Sequence, residues 1–488
     1  MPKFIVFVSL ILIALVSCKK DKSDEIDQSN YPADISKIIS TNCAVSGCHN
    51  QQSKLAAGGL SMETWEQLFE GGSGGATVIP YRPDQSWLMY YINTDTNRGV
   101  ALTPTMPFNK PPLSDADYNT LLAWITSGAP DVNGKIPFPN DPDRQKFYVS
   151  SQGCDLVTAF DTKTLLAMRC IDVGKLPSIE VPHQLKVSPD GLYWYACFVA
   201  GTVLQRFNTF DDSFAGEIEI GPGNWNTMAI SSDGTKAFVV DWDDEGKVAY
   251  VDLEQMQFIQ YYQGSGLFTQ PHGSWLNTAF TTLYVTSQYG NYIYKVDITN
   301  PNFPDIEKVV LKPGQQPNNI QGTFDPHEVV LSPDETKYFV TCQASDEVRV
   351  MDAATDTLIA VIPVGNYPLE MAVSLTKPYL FVVCEEDPCS EPVCKGSVYV
   401  INYNDLSVIA SLQSGLFEPH GIAVDDGAAV VMVSNRNVNP SGPAPHHSSD
   451  CGGRNGFMKF IDLNTLEFIP DYRPELSVDP YSVAAKVN

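Results

Sequence analysis

The sequence of 488 residues is short of basic side chains, since 31 lysines and arginines stand against 57 aspartates and glutamates. The formal net charge of −26 at pH 7 argues against a nucleic-acid partner, because binding to a phosphate backbone requires a basic surface. An acidic surface is suited instead to steering a basic partner. The hydrophobic content of 43% and the aromatic content of 11% predict a folded protein, and the length predicts two or more domains.

Long apolar runs are also missing, with one exception at the N-terminus. The run from Phe4 to Ser17 follows Lys3 and is shorter than the ~20 residues that a membrane-spanning helix needs, so we expect residues 1–17 to be a signal peptide. The end of this run, LVSC, resembles a bacterial lipobox, which implies cleavage before Cys18 and a lipid on its sulfur. An ordinary secretory signal with an incidental cysteine is the alternative.

The polar and charged segment over residues 18–30 predicts a flexible tether. Together, the leader and the tether predict a lipid-anchored protein at the outer membrane, the cell surface or the periplasm. Disulfides and covalently bound haem are both permitted outside the cytoplasm. The cysteine count therefore does not reveal which of these the 11 cysteines serve.

Residues 31–132 predict a small all-α domain. Three isoleucines recur at helical spacing within YPADISKIISTN (31–42), so a helix leads into the cysteine motif that follows. A second helix is predicted within LSDADYNTLLAWITSG (113–128), with Ser114 as its N-cap and Gly128 as its C-terminal stop.

The motif NCAVSGCHN (42–50) carries the chemistry of this domain. Two nearby thiols, Cys43 and Cys48, can add to the two vinyl groups of one porphyrin, and the adjacent His49 then lies beneath the ring as an iron ligand. A methionine from a separate loop can fill the other axial position, and Met106 in the proline-rich stretch TPTMP is the candidate. The spacing departs from the usual C-x-x-C-H, because four residues separate the cysteines.

Three alternatives compete with this interpretation. Cys43 and Cys48 could form a disulfide beside a solvent-facing His49. A zinc site is the second alternative, although no further pair of cysteines or histidines at zinc-binding spacing lies nearby. Met62 is a rival to Met106 as the axial ligand, but its surroundings, LSMETW, predict a methionine packed in the interior.

Longer stretches of this domain resemble a known family. The segments GGLSMETWEQLFEGG, VIPYRPDQSWLMYYI and MPFNKPPLSDADYNTLLAWITSGAP are similar to the short cytochrome c domains of secreted planctomycete and Bacteroidetes proteins. The resemblance covers residues 31–130. It implies covalent haem c attached at Cys43 and Cys48, with His49 as the proximal ligand and Met106 as the distal ligand.

The remainder of the chain predicts a second domain built from repeats. A linker rich in proline, glycine and aspartate is expected over residues 133–145, and a repeat of about 42 to 55 residues fills residues 146–488. Each unit reads as four short strands, which is the pattern of a β-propeller blade. Six units are complete, and residues 480–487 (PYSVAAKV) supply the first strand of the unit that begins near residue 147. The fold class is therefore α plus all-β, with a seven-bladed propeller. The motifs SPDG (188–191), VRVMD (348–352) and VIPVG (361–365) resemble those of YVTN and lactonase-like propellers.

Histidine is scarce, with seven in the chain, and four of the seven share one position in the repeat. That position opens the innermost strand of each blade and faces one mouth of the central channel. Its occupants are Tyr481, His183, Asn226, His272, His327, Leu369 and His420. A loop inserted in the last blade, PAPHHSSDCGGRNG, places His446, His447 and Cys451 on the same face, as does a cysteine-rich loop in the preceding blade.

Two interpretations of these histidines stay open. Their imidazoles could be hydrogen-bonded to the backbone, while the loop cysteines form disulfides such as Cys389–Cys394. Alternatively, His183, His272, His327, His420, His446 and His447 could bind copper or another transition metal, or line a substrate pocket.

We expect a membrane-anchored cytochrome that transfers single electrons to or from a redox partner protein. Its propeller is expected to bind a partner, a redox metal or a substrate at the histidine face. The sequence does not decide whether the protein is an enzyme, and an oxidoreductase is the activity considered. The alternatives are a non-catalytic surface binding protein and a lactonase-like hydrolase.

Overall fold

The structure is a computed structural model and describes residues 29–391, 394–436 and 456–486. The predicted signal peptide, the lipidation site Cys18 and most of the predicted tether lie outside the described residues, as do His446, His447 and Cys451. Within the described ranges, no helix is long and apolar enough to cross a membrane.

The N-terminal part is helical, as its periodicity predicts. From residue 29, where the description begins, its α-helices are α1 (Ala33–Asn42), α2 (Trp65–Leu68), α3 (Trp87–Ile92) and α4 (Asp115–Thr126), and short 3-10 helices cover Lys54–Ala57, Pro83–Gln85 and Thr96–Arg98. The isoleucines of α1 are buried against Leu121 and Ile125 of α4 in one hydrophobic cluster. Trp65 joins this core and donates its indole N–H to the carbonyl of Ala129 at 2.9 Å.

The ends of α4 show why the sequence forms a helix there. The Ser114 hydroxyl accepts a hydrogen bond from the Asp117 backbone N–H at 3.1 Å, which satisfies an amide without an intrahelical partner. At the other end, Gly128 has a φ of 99°, in the left-handed region that ends helices. A β-carbon at Gly128 would lie 2.7 Å from the Tyr81 ring, so close packing also favours glycine.

The rest of the described chain forms seven antiparallel sheets arranged as blades. A 3-10 helix (Gln152–Cys154) lies within blade 1. The strands of blades 1 to 4 are β1 (Lys146–Ser151), β2 (Leu156–Asp161), β3 (Leu166–Asp172); β4 (Pro182–Val187), β5 (Tyr193–Phe198), β6 (Val203–Asn208), β7 (Phe214–Glu219); β8 (Trp225–Ile230), β9 (Lys236–Asp241), β10 (Lys247–Asp252), β11 (Gln257–Tyr262); and β12 (Pro271–Leu276), β13 (Thr282–Ser287), β14 (Tyr292–Asp297), β15 (Asp305–Val310). The strands of blades 5 to 7 are β16 (Pro326–Leu331), β17 (Lys337–Cys342), β18 (Glu347–Asp352), β19 (Leu358–Pro363); β20 (Pro368–Val373), β21 (Tyr379–Pro388), β22 (Lys395–Asn402), β23 (Val408–Leu412); and β24 (Pro419–Asp425), β25 (Val430–Asn435), β26 (Gly456–Asp462), β27 (Glu467–Phe468), β28 (Glu475–Leu476).

The last strand, β29 (Pro480–Lys486), completes blade 1 from the other end of the chain. It pairs antiparallel with β1, and Lys486 lies opposite Lys146. This pairing closes the ring of blades, which removes the free sheet edge that an open arrangement would leave. The seven-bladed propeller predicted from the repeats is confirmed.

The helical part packs directly on blades 1 and 7. Ile79 joins a buried cluster with Phe147 of β1 and Phe460 of β26. The two backbones also approach closely, because a β-carbon at Gly75 would lie 2.7 Å from the Pro474 side chain. The φ of Gly75 is 93°, so this position needs glycine for its conformation as well as for space.

Candidate functional site

The cysteine motif forms a tight turn after α1. Cys43 caps the helix, and its N–H donates to the Ile39 carbonyl at 2.8 Å. The His49 N–H then donates back to the Cys43 carbonyl at 3.1 Å, which closes the turn. Gly47 allows this path because its φ is 80°, and its N–H donates to the Ser53 hydroxyl at 3.0 Å.

A cavity of about 620 Å³ opens beside this turn. Cys43, Cys48, His49 and Met106 all line it, so the structure brings together the four residues that the sequence nominates. Met62 lines the same cavity. Most of the remaining wall is apolar and includes Leu60, Trp87, Leu88, Ile92 and Leu113.

The methionine loop is held in place by α3. The Met106 N–H donates to the Tyr91 carbonyl at 2.8 Å, and the Leu102 N–H donates to the Tyr90 carbonyl at 3.0 Å. Met106 is only partly buried, whereas Met62 is 2% exposed and belongs to the helical core. Burial of Met62 agrees with the packed position expected from its sequence, and Met106 is the methionine carried by a separate loop.

The two thiols are not bonded to each other. Burial, with a smaller contribution from the neighbouring Cys48, raises the pKa of the Cys43 thiol to about 12. A zinc site would need thiolates and four ligands. Among the described residues, neither cysteine belongs to a group of three or more potential metal ligands whose atoms lie within 4.8 Å of one another. The structure therefore gives no support to the disulfide or to the zinc alternative.

His49 has the properties of a metal ligand. Burial lowers the pKa of its imidazole, although backbone hydrogen bonds with Leu60 and Ala57 oppose this shift. Its Nδ1 atom is buried without a hydrogen-bond partner among the described residues. A neutral imidazole with an uncommitted nitrogen is the form that binds iron. Two free thiols, this imidazole and a thioether around a largely apolar cavity of ligand size are the donor set of a c-type haem.

Three residues from the propeller line the same cavity and were missed by the sequence analysis, which confined the haem site to residues 31–132. They are Asp471, Arg473 and Glu475, from the segment that leads into β28 and its first residue. No local motif marks them, because they meet the cavity only through packing of the last blade on the helical part.

The histidines predicted to share one channel position do meet. His183, His272, His327 and His420 are all 2–3% exposed, and Tyr481 is 4% exposed. Their rings are packed against one another, with centroid separations of 5.7 Å for His183–His272, 4.1 Å for His272–His327, 5.9 Å for His327–His420, 3.6 Å for His420–Tyr481 and 4.5 Å for His183–Tyr481. We call these five side chains the histidine ring.

Burial favours the neutral form of three ring histidines, His272, His327 and His420. It lowers the pKa of His272 to about 4 and lowers the pKa values of His327 and His420 well below the ordinary range. Two of the four imidazoles bind backbone carbonyls, since Nδ1 of His183 lies 2.9 Å from the Asn226 oxygen and Nδ1 of His272 lies 3.2 Å from the His327 oxygen. This is the backbone-bonded arrangement that the first interpretation expects.

A buried ion-pair network adjoins the ring. The Arg436 guanidinium is 0% exposed and donates to both Asp479 carboxylate oxygens, at 2.7 and 2.8 Å, and to Glu385 at 3.2 Å. It also lies 5.3 Å from the centroid of the Tyr481 ring. Burial raises the pKa of Glu385 to about 7, while Arg436 opposes that shift.

The ring does not present a metal site in the described part of the chain. No three of its imidazole nitrogens lie within 4.8 Å of one another, and nothing in the structure supports copper. The one group of described residues that meets this distance is Cys389, Glu391 and Cys394. Its two cysteines form the predicted disulfide, which leaves no thiolate for a metal.

A second cavity, of about 800 Å³, lies at the opposite end of the inner strands. The ring histidines occupy the second residue of their strands, whereas this cavity is lined by strand ends such as Lys186, Leu331 and Val373. The Lys186 ammonium lies 5.9 Å from the centroid of the Trp275 ring, which also lines the cavity. Space for a ligand in the propeller is therefore found away from the histidine ring.

Comparison with known families identifies the helical part. Residues 46–100 match the family described as PSCyt1, Planctomycete cytochrome C. The matched segment includes Cys48, His49 and the α3 helix that holds the Met106 loop. The cytochrome c resemblance of this segment is thus confirmed, and it indicates haem c and an electron-transfer role. No curated protein sequence matches the chain at a significant level.

Solved structures resemble the propeller. A functionally unknown protein from Desulfotomaculum acetoxidans matches with a TM-score of 0.52 and 14% identity, over 69% of this chain and 99% of that chain. At such identity the likeness concerns the fold alone. Hydrazine synthase from Kuenenia stuttgartiensis matches with a TM-score of 0.49 and 17% identity, over 64% of this chain and 93% of that chain. The dihydro-heme d1 dehydrogenase NirN matches with a TM-score of 0.48 and 14% identity, over 85% and 94% of the two chains.

Proposed function

We propose that the protein is a c-type cytochrome in which Cys43 and Cys48 bind haem covalently and His49 and Met106 are the axial ligands. One observation carries this proposal: all four side chains line a single cavity, in which, among the residues that the structure describes, both thiols are unbonded and one imidazole nitrogen has no hydrogen-bond partner. A bound haem c would supply reversible one-electron oxidation and reduction of its iron.

The residues of the chain determine what that haem does. Ligation by both His49 and Met106, which line the same cavity, would leave no open position on the iron for a substrate and so favours electron transfer. A thioether ligand raises the reduction potential relative to a second nitrogen ligand. The apolar wall around Leu60 and Leu88 excludes water, which also favours the reduced, less charged iron.

A pyridine haemochrome spectrum tests this proposal directly. Protein produced in a host with cytochrome c maturation should give the spectrum of haem c, and the haem should stay attached after denaturation. The double variant Cys43→Ala/Cys48→Ala should lose all covalent haem. Cys197→Ala is a matched control, because Cys197 is a buried free thiol in the propeller, far along the chain from the cavity. Colourless wild-type protein would contradict the proposal.

A second comparison identifies the distal ligand. Met106→Ala should abolish the sulfur-to-iron charge-transfer band and lower the potential, because the thioether is lost. Met62→Ala removes a methionine from the same cavity and should destabilise the fold by about 2–5 kcal/mol while it leaves that band intact. Loss of the band in Met62→Ala instead would show that Met62 is the ligand.

We also propose that the protein is anchored outside the cytoplasm by a lipid on Cys18 and that it exchanges electrons with a redox partner protein. The lipobox resemblance and the acidic net charge of −26 support this. Mass spectrometry of the mature N-terminus should show a lipidated Cys18. Cys18→Ala should move the protein from the detergent-extracted membrane fraction to the soluble fraction.

The propeller is proposed to bind a ligand or a partner. The cavity of about 800 Å³ at the strand ends supports binding at that mouth of the channel. The metal role of the histidine ring stays a prediction without structural support. Metal analysis of Cys43→Ala/Cys48→Ala protein separates the two metals, since copper that persists after loss of the haem iron would locate a metal in the propeller.

A further inference from the structure

The cavity of about 620 Å³ beside Cys43, Cys48, His49 and Met106, which we call the haem cavity, is lined by both the helical part and the propeller. On one side, the loop over residues 72–75 lines it together with the cysteine turn. On the other side, Asp471, Arg473 and Glu475 line it from the last blade. These residues lie more than 350 positions from Met106 in the sequence, so only the packing of the propeller brings them to the site.

Arg473 is held firmly at this boundary. Its backbone N–H donates to the Ser73 carbonyl at 2.8 Å. Its guanidinium lies over the Phe457 ring, 3.7 Å from the ring centroid, and Phe457 is 1% exposed on β26. Strand β28 continues the anchorage, because Glu475 pairs with Phe457 in the sheet. A stacked guanidinium on a rigid ring keeps its charge in one place.

The charge at the cavity is unusual for this chain. Acidic residues outnumber basic ones by 57 to 31, so a basic side chain commonly has a carboxylate partner. Arg473 and Lys110 both line the cavity, and neither has a carboxylate within 4.0 Å among the residues described. Asp471 and Glu475 also line the cavity, and the Glu475 charge acts on Arg473 from beyond ion-pair distance. Two cations without a carboxylate in ion-pair contact among the described residues, at the edge of an apolar cavity, predict a ligand that brings its own negative charge.

A haem has two carboxylate groups, its propionates, on one edge of an otherwise apolar ring. We propose that Arg473 from the propeller, assisted by Lys110, neutralises these carboxylates, so that the propeller completes the haem site and raises its reduction potential. This inference rests on the proposed haem binding. It assigns the propeller a part in electron transfer that requires neither a metal nor a substrate in its channel.

The physical consequence is a change in potential. An uncompensated propionate near the iron stabilises the oxidised iron, which carries one more positive charge, and so lowers the potential. A cation fixed beside the propionate removes this preference and lowers the propionate pKa. Without the cation, the propionate should titrate closer to neutral pH, and the potential should then depend on pH in that range.

The experiment is spectroelectrochemical titration of the full-length, haem-loaded protein between pH 5 and pH 8. Arg473→Gln should keep a full complement of haem c but lower the ratio of reduced to oxidised protein by about 2-fold to 10-fold at a fixed potential, where tenfold corresponds to 59 mV for one electron. Its potential should also vary more steeply with pH than that of the wild type.

Two further variants separate charge from packing. Arg473→Lys keeps the charge and should restore most of the wild-type potential. Arg206→Gln is the matched control, because its guanidinium also stacks on a propeller ring, 4.5 Å from the Tyr193 centroid, but does not line the cavity. It should leave the potential unchanged.

The outcomes are distinguishable. Wild-type protein without haem c overturns the proposed function and this inference with it. Haem-loaded Arg473→Gln protein whose potential and pH profile equal those of the wild type overturns the inference alone. If Arg473→Gln does not fold, Arg473→Met decides, since an unbranched apolar side chain keeps contact with the Phe457 ring but removes the charge. A wild-type potential and pH profile in Arg473→Met would then overturn the inference.

Discussion

The proposed haem cavity and the histidine ring both gather side chains that can bind metals, but they differ in how the described side chains are packed around them. Around the cavity, Cys48, His49 and Met106 face a space of about 620 Å³. In the ring, the imidazoles and a phenol pack against one another, with His420 and Tyr481 stacked at 3.6 Å between centroids.

Buried imidazole nitrogens without a hydrogen-bond partner among the described residues occur in both regions and do not distinguish them. Nδ1 of His49 is buried without a partner among the described residues, but so are Nδ1 of His327 and Nδ1 of His420. Space and the convergence of different donor types distinguish the cavity. A cluster of histidines in a propeller channel is therefore weak evidence for a metal, since neutral imidazoles pack and hydrogen-bond well in a closed channel.

The largest expected effect is the loss of the axial ligand His49, compared with the loss of a histidine from the ring. His49→Ala should abolish the low-spin haem spectrum, because the iron loses a ligand. His272→Ala removes a histidine that is more deeply buried than His49 and should leave that spectrum unchanged. Visible absorption of the two purified variants provides the measurement. A normal spectrum in His49→Ala, or a lost one in His272→Ala, would reverse the roles assigned to the two regions.

The next effect concerns the ion pairs beside the ring. Arg436→Gln should lower the free energy of unfolding by about 3–5 kcal/mol, because it leaves the Asp479 and Glu385 carboxylates buried without their cation. Arg98→Gln is the control, since its pair with Asp115 lies on the surface and should matter far less. Denaturant unfolding measures both. Equal effects of the two variants would mean that the buried network is not a stability element.

A smaller effect is the pH dependence that the ring imposes. The pKa of His272 is lowered to about 4 in the folded state, whereas an unfolded histidine titrates near 6.5, so the unfolded state binds more protons between these values. Stability from this residue is complete above pH 6.5 and is lost as the pH falls, by up to about 3 kcal/mol near pH 4.

His272→Gln removes this proton-linked loss. The difference between the unfolding free energies at pH 7 and pH 4.5 should be smaller in the variant than in the wild type by about 2–3 kcal/mol. Burial raises the pKa of Glu370, which stabilises the fold towards low pH, but this carboxyl is present in both proteins and its effect cancels in the comparison. Parallel pH profiles would show that His272 accepts a proton without cost in the folded protein.

The smallest expected effect lies in the helical part. Ser114→Ala removes the N-cap of α4 and should lower the unfolding free energy of this part by about 1 kcal/mol. Ser40→Ala is the control, because Ser40 lies exposed inside α1 and its weak bond to the Lys37 carbonyl spans 3.4 Å. Thermal unfolding followed by circular dichroism compares them. A loss in Ser40→Ala as large as in Ser114→Ala would contradict the capping role.

Much of the fold could be predicted because its signals are local and repeated. The strand–turn–strand pattern recurs once per blade, so His183, His272 and His327 could be aligned and placed at one channel mouth. The Cys389–Cys394 disulfide was also predicted, but spacing alone did not decide it, since Cys43 and Cys48 are equally far apart and stay unbonded. The part played by Arg473 could not be predicted, because no spacing or periodicity links it to the cysteine motif.

The amino-acid sequence by itself determined the blade number, the cysteine–histidine motif and the shared position of the ring histidines. The blade number and the histidine position follow from a repeated local pattern, and the cysteine–histidine motif is one short contiguous stretch. Only the tertiary structure decided which cluster has space for a ligand. The physical reason is that a cavity is the volume that side chains leave unfilled, and that volume depends on packing between residues such as Gly75 and Pro474, which are far apart in the chain.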